Sequence, residues 1–244
     1  MAAEFTAFMR PFLDKLELPL TEEQLFSFDL LGKNMLADPI YPSVSKIFAP
    51  EEIALKHFLD SIMPLKFAPE SFAKAVKVLD LGTGGGFPLL PLAIMFPDKK
   101  FLGVDSRQKS VEFVARMAQQ TGLNNVSVEH SRIEELGQNP KHREKYDLVV
   151  CRALSAICTL LEYTLPLTRV EGFSFYFKGP KLDEELKEAA NAMKLLGVAK
   201  NDYQLWVLEE EFLPFSRGYM QVHKKQATSN KYPRKSGLPT AKPL

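Results

Sequence analysis

The spacing of apolar positions changes character near residue 76, and that change organises the chain. Upstream, Phe5, Phe8, Met9, Phe12, Leu13 and Leu16 recur at intervals of three and four, which places them on one stripe of a helix. Pro19 closes that segment, and Thr21 ahead of Glu22 and Glu23 predicts the capped start of a second helix. Two prolines between Asp38 and Pro42 predict a loop, and a third helix is expected from about Glu51 to Ser61. Residues 1–70 read as a helical region.

Downstream, short apolar or β-branched runs alternate with helical spacing. Val76–Leu81, Phe101–Val104, Val126–Val128, Leu148–Cys151 and Phe173–Phe177 predict strands, with helices over Ser110–Thr121, Ser155–Leu165 and Asp183–Leu196. Strands separated by helices imply βαβ crossovers and a parallel sheet. Two further runs, Leu205–Glu210 and Tyr219–Val222, have no helix-length segment between them, so antiparallel pairing is expected. The sequence thus predicts a Rossmann-like α/β core over residues 71–225, with a seven-stranded, mostly parallel sheet. Five parallel strands ending in such a hairpin is the plan of the class I methyltransferases.

Composition narrows the classes. The 244 residues suit one large domain, and 45% hydrophobic with 25% charged residues is ordinary for a soluble globular chain. Two cysteines, Cys151 and Cys158, and four dispersed histidines argue against a disulfide framework or a metal enzyme. With no long apolar run and no leader-like start, a cytoplasmic monomer without membrane or metal partners is expected. The net charge of +1 hides an asymmetry. After Glu211 there is no acid, while Arg217, Lys224, Lys225, Lys231, Arg234, Lys235 and Lys242 supply seven positive charges, leaving about −6 upstream. Such a basic tail, residues 226–244, fits either a polyanion-binding arm or a merely solvated terminus.

The strongest motif is Asp80-Leu81-Gly82-Thr83-Gly84-Gly85-Gly86-Phe87-Pro88, an apolar strand entering a glycine loop that opens a helix. Glycine tolerates positive φ and lets a ligand approach the backbone. A dinucleotide fingerprint would want a third glycine where Phe87 stands. Asp80-x-Gly82-x-Gly84-x-Gly86 instead resembles the first motif of S-adenosylmethionine enzymes. The second strand ends in Asp105, 25 residues after Asp80, where a carboxylate can accept hydrogen bonds from a ribose diol. Ser131-Arg132-Ile133-Glu134 follows the third strand, either at an adenine pocket or as a helix capping box. The fourth strand runs into Cys151-Arg152-Ala153 and lacks the Pro-Pro-aromatic segment of base-amino methyltransferases. A buried structural thiol is the favoured reading of Cys151.

Taken in order, several segments resemble the bacterial 16S ribosomal RNA guanine-N7 methyltransferases, the glucose-inhibited division protein B family. They are His57-Phe58-Leu59-Asp60-Ser61, the glycine loop, Asp105-Ser106, Ser131–Glu135, Arg152-Ala153, Lys178-Gly179 and Lys231–Pro239 with Lys242–Leu244. The resemblance implies S-adenosylmethionine as cofactor, with contacts at Gly82, Phe87, Ile133, Glu134 and Arg152. It also implies 16S ribosomal RNA, or the small subunit, as partner. Two departures stand out: Ser43-Val44-Ser45 where the family has Asn-Leu-Thr, and Leu89 where it tends to have glycine.

N7 chemistry suits a site without a general base. Guanine N7 carries an in-plane lone pair and no proton, so alignment and charge stabilisation suffice. Its N7/O6 edge is an acceptor pair read by arginine or lysine, making Arg152 and Lys178 the catalytic candidates. The tail, with Tyr232 among Lys224, Lys225, Lys231, Arg234 and Lys235 and held extended by Pro233 and Pro239, is expected to contact RNA. Competing readings are a methyltransferase of a small molecule or protein, a non-catalytic RNA-binding module, and a nicotinamide enzyme.

Overall fold

In the computed structural model, which describes residues 5–179, 181–208, 213 and 216–244, the apolar runs become β1 (Lys77–Leu81), β2 (Lys100–Asp105), β3 (Val126–His130), β4 (Tyr146–Arg152), β5 (Thr168–Lys178), β6 (Tyr203–Leu208) and β7 (Arg217–His223). They form one sheet in the order β3-β2-β1-β4-β5-β7-β6. β1 to β5 are parallel, and β7 inserts antiparallel between β5 and β6. The order reverses between β1 and β4, the switch point where such sheets open a crevice beyond the strand ends.

Boundaries moved for local reasons. β5 begins at Thr168 rather than Phe173, because the polar Thr168–Gly172 stretch carries no hydropathy signal yet pairs with β4 across an irregular register. Gly172 fits there only without a side chain, since a Cβ would stand 2.9 Å from the Asp147 carbonyl. Val76 lies outside β1, exposed, with its amide donated to Asp147 Oδ2 at 2.9 Å. The expected end of β6 at Glu210 falls outside the described residues. The helix expected over Asp183–Leu196 is two helices, Leu182–Glu188 and Ala190–Leu196, turning at Ala189.

Side chains alternate across the sheet, giving two cores. Leu148, Val150, Phe175 and Phe177 face one core with the N-terminal helices and the helices Leu89–Met95 and Gln108–Thr121. Val149, Cys151 and Tyr176 face the other, with Ile157–Thr164 and the helices after β5. The first helix, Phe5–Leu16, buries Phe5, Met9, Leu13 and Leu16 as its stripe predicts, but Phe8 is exposed. Thr21 and Gln24 close a reciprocal capping box on the second, Glu22–Ala37. Pro42, expected in a loop, sits in the first turn of a short helix, Tyr41–Val44, where its missing N–H costs nothing.

The third helix runs through Pro50–Ile53, Ala54–Leu59 and Asp60–Ile62, and its middle segment is π-helical. Such a wide turn often marks a functional site. No described helix is long and apolar enough to cross a membrane.

Candidate functional site

Two clefts open side by side at the carboxyl ends of the central strands. The first, about 350 Å³, is lined by Gly82, Asp105, Ile133, Glu134, Leu154 and Tyr163, and by Gly237 and Thr240 from the tail. The second, about 260 Å³, is lined by Arg152, Phe177, Lys178, Gly179 and Arg217. Ala153 lines both. Its φ of 52° is unusual for a residue with a Cβ, so the chain holds a strained backbone at the point where the clefts meet.

The first cleft is built by the glycine loop and the end of β2. Gly82 has φ +70°, and a Cβ there would lie 2.7 Å from Leu154 Cδ1. Gly86 has φ +86°, and its Cβ would lie 2.5 Å from Leu90 Cδ1. Both positions therefore exclude side chains on conformational and steric grounds. Asp105 pins the loop: Oδ2 accepts the Gly84 amide at 2.9 Å and Oδ1 the Arg107 amide at 2.8 Å. Each oxygen keeps a second lone pair for a ligand hydroxyl. Below the loop, Asp80 is fully buried and its carboxylate makes no well-formed hydrogen bond, and burial, offset in part by the Thr83 side chain and the Leu89 backbone, pushes its pKa up to about 7. A backbone cradle that a Cβ would fill, an oriented carboxylate and a buried acid fit a nucleoside with a cationic amino-acid end. The volume lies within the usual range for small-ligand sites.

Glu134 belongs to the cleft and not to a capping box. The helix Ile133–Gln138 has no side-chain cap, and Ser131 Oγ turns to the Arg132 carbonyl. Instead Glu134 Oε1 accepts the Tyr163 hydroxyl at 3.2 Å and the Gly237 amide at 2.8 Å. Of the expected cofactor contacts, Gly82, Asp105, Ile133 and Glu134 line the first cleft, whereas Asp80, Gly84, Gly86, Phe87 and Arg152 do not. Phe87 stacks on His57 with centroids 4.2 Å apart, and the Arg152 guanidinium lies 5.9 Å from the same ring.

Arg152 is held by the π-helical turn. Its Nη2 donates to the Lys56 carbonyl at 2.7 Å and to His57 Nδ1 at 3.2 Å, and Nη1 lies 3.2 Å from the buried Asp60 carboxylate. Asp60 also takes Arg217 Nε at 2.8 Å. Because Arg152 donates to Nδ1, His57 carries its proton on Nε2, facing Ser45 Oγ at 3.2 Å. Burial and the adjacent Arg152 charge hold the His57 pKa down at about 3. Ser45, the last residue of the departing Ser43-Val44-Ser45 segment, thus has His57 as its partner. The other departure, Leu89, occupies space left by Gly103 of β2, where a Cβ would stand 2.6 Å from Leu89 Cδ2.

Lys178 donates to the Ser155 carbonyl at 2.7 Å and pairs with Glu185 at 2.6 Å. Cys151 points into the second core, fully buried, and burial pushes its thiol pKa up, as suits a structural residue. The sequence reading missed Arg217, Tyr163, Gly237 and Thr240. In the sequence Arg217 reads only as tail charge, and the others carry no motif.

The tail is not an extended arm. Arg234 makes a bidentate pair with Glu162, which is fully buried, and Lys224 is buried against Glu144 and the Leu165 and Thr168 carbonyls. Those two cations are consumed by acids of the body, so they do not serve as free phosphate ligands. Lys231, Lys235 and Lys242 remain exposed. Pro239 lies in a short helix, Leu238–Ala241.

Residues 43–212 match the family described as GidB, rRNA small subunit methyltransferase G. The chain is 38% identical to ribosomal RNA small subunit methyltransferase G of Lactobacillus delbrueckii subsp. bulgaricus over 95% of this chain and 96% of that one. It is 36% identical to the protein of that name from Desulforamulus reducens, over 99% of both. Its fold is similar to that of a putative O-methyltransferase from Klebsiella pneumoniae, with a TM-score of 0.55 at 13% identity over 90% of this chain and 97% of that chain.

Proposed function

Because the chain belongs to the rRNA small subunit methyltransferase G family, we propose that it methylates N7 of a guanine in 16S ribosomal RNA. S-adenosylmethionine supplies a methyl group on a positively charged sulfur. The chain's residues have three tasks: to hold that donor, to hold the base, and to align them.

The donor occupies the first cleft. Asp105 grips the ribose hydroxyls, the loop at Gly82 and Gly84 accommodates the amino-acid end, and Asp80 beneath it, with its pKa raised to about 7, is drawn to its charged form by the cationic donor. Ile133 and Glu134 border the base end. The target guanine enters the second cleft, whose charged lining residues are Arg152, Lys178 and Arg217. The two meet at Ala153, and that shared wall is the observation that carries the reading.

The neighbouring side chains fit a reaction that needs no base. His57 is neutral with Nδ1 occupied, and Cys151 is buried and protonated. N7 presents a lone pair without a proton, and positive charge passes from the donor sulfur to the purine as the methyl moves, so the protein must align the two with N7 left free. Lys178, which already holds the Ser155 carbonyl and Glu185, has a third N–H with which to hold the neighbouring O6. Arg152 is fixed by Lys56, His57 and Asp60 and acts as a positioning residue. The RNA backbone is drawn to Lys231, Lys235 and Lys242.

Incubating the protein with 16S RNA or small subunits and methyl-labelled donor, then digesting to nucleosides, tests this. Label in 7-methylguanosine is expected; label in another nucleoside, or only in protein, would overturn it.

A further inference from the structure

The tail closes one side of the first cleft, and the same contacts that dock it reach into the cleft. Gly237 and Thr240 are among its lining residues. The Gly237 amide donates to Glu134 Oε1 at 2.8 Å, and Thr240 Oγ1 lies 3.0 Å from the Tyr163 hydroxyl, which in turn donates to Glu134. Glu134, Tyr163, Gly237 and Thr240 therefore form one hydrogen-bonded wall drawn from three distant parts of the chain. Outside the cleft the tail is clamped separately. Arg234 grips Glu162, Gln138 Nε2 donates to the Pro233 carbonyl at 2.7 Å, and Arg143 donates to the Thr228 and Tyr232 carbonyls. Residues 228–234 anchor the segment and residues 236–244 present it to the ligand, with Arg234, which also donates to the Lys242 carbonyl at 2.8 Å, and Thr159, which donates to the Pro239 carbonyl at 3.2 Å, steadying the second part.

We propose that residues 236–244 are a strap forming part of the donor-binding site, gripping the nucleoside end of the cofactor through the Glu134–Tyr163–Gly237–Thr240 wall. This rests on the donor occupying the first cleft. By linkage, cofactor and strap stabilise each other: a ligand that binds better when the strap is docked must also hold the strap down by the same factor. Exposed Lys242 rides on the strap and exposed Lys235 directly precedes it, so docking also sets where those charges face the RNA.

A chain ending at Lys235 keeps the Arg234–Glu162 pair and the Gln138 and Arg143 contacts, so the fold is retained while the wall is lost. Calorimetry with S-adenosylhomocysteine on the full chain and on this truncation reads the effect. The truncation is expected to bind at least about tenfold more weakly with a near-normal melting temperature. Tyr163→Phe, which removes the bridging hydroxyl without altering chain length, is expected to weaken binding several-fold. In the full chain, saturating ligand is expected to slow tryptic cleavage after Lys235 and amide exchange at Gly237. Full-length affinity in the truncation, or a bound ligand that leaves cleavage after Lys235 unchanged, overturns the strap alone. No binding by the intact chain overturns the donor-cleft reading, and the strap with it.

Discussion

Replacing Asp105 with asparagine isolates what one carboxylate does in two roles. Its oxygens accept the Gly84 and Arg107 amides at 2.9 and 2.8 Å, and both retain a lone pair toward the cleft. An asparagine has one acceptor oxygen and one NH₂, so in either orientation the NH₂ opposes a backbone N–H. Leaving one such donor unsatisfied costs about 1–3 kcal/mol. Part of that cost is felt in the ligand-free protein, as a modest drop in melting temperature. Hydrogen bonds to a charged acceptor contribute ~1.5–3 kcal/mol against ~1 for neutral ones. Losing the charge and half the acceptor capacity should therefore remove about 2 kcal/mol of ribose binding. At ~1.4 kcal/mol per decade that is roughly a 30-fold rise in Kd. Calorimetry with S-adenosylhomocysteine, paired with a thermal melt, measures both. A variant that melts normally and binds within twofold of the parent would remove Asp105 from the site.

Arg234→Ala leaves the fully buried Glu162 carboxylate without its partner and should destabilise the protein by about 3–5 kcal/mol, read by denaturant unfolding. Pairing it with Glu162→Leu should recover most of the loss, and a single variant costing under about 1 kcal/mol would contradict the buried-pair account. His57, with its pKa lowered to about 3 in the fold, takes up a proton in the unfolded chain first as pH falls. It therefore favours unfolding increasingly from about pH 6.5 downward, with a slope approaching 1.4 kcal/mol per pH unit by about pH 5. His57→Phe should flatten that part of the stability profile, and an unchanged slope would refute the assignment. Gly86→Ala should lower stability by about 1–3 kcal/mol and weaken cofactor binding, because a Cβ there is strained at φ +86° and meets Leu90; a variant with wild-type melting and affinity would show that the loop tolerates a side chain.

What the sequence disclosed was local. Asp80, the glycines and Asp105 are legible because each sits at the end of an apolar strand, where chain direction alone places it in the crevice. The hairpin of β6 and β7 was legible because nothing between them could form a crossover helix. What stayed hidden depends on contacts far apart in sequence. Glu162 reads as a surface acid of a helix, and its burial follows only from Arg234, 72 residues on. Tail cations that spell an RNA-binding arm by composition turn out to include two structural ones. Arg217 becomes a site residue only because β7 inserts beside β5 and brings it to Asp60. The π-helical turn that aims His57 and Asp60 at Arg152 leaves no trace in hydrophobic spacing.

The proposed function stands on the crevice between the ends of β1 and β2 holding an adenosyl donor by its sugar. A crystal structure of the protein grown with S-adenosylhomocysteine tests it most directly. The ligand is expected in the cleft between Gly82 and Ile133, with both ribose hydroxyls on the Asp105 carboxylate and Thr240 alongside. Ligand density elsewhere, or in that cleft with the ribose turned away from Asp105, would contradict it.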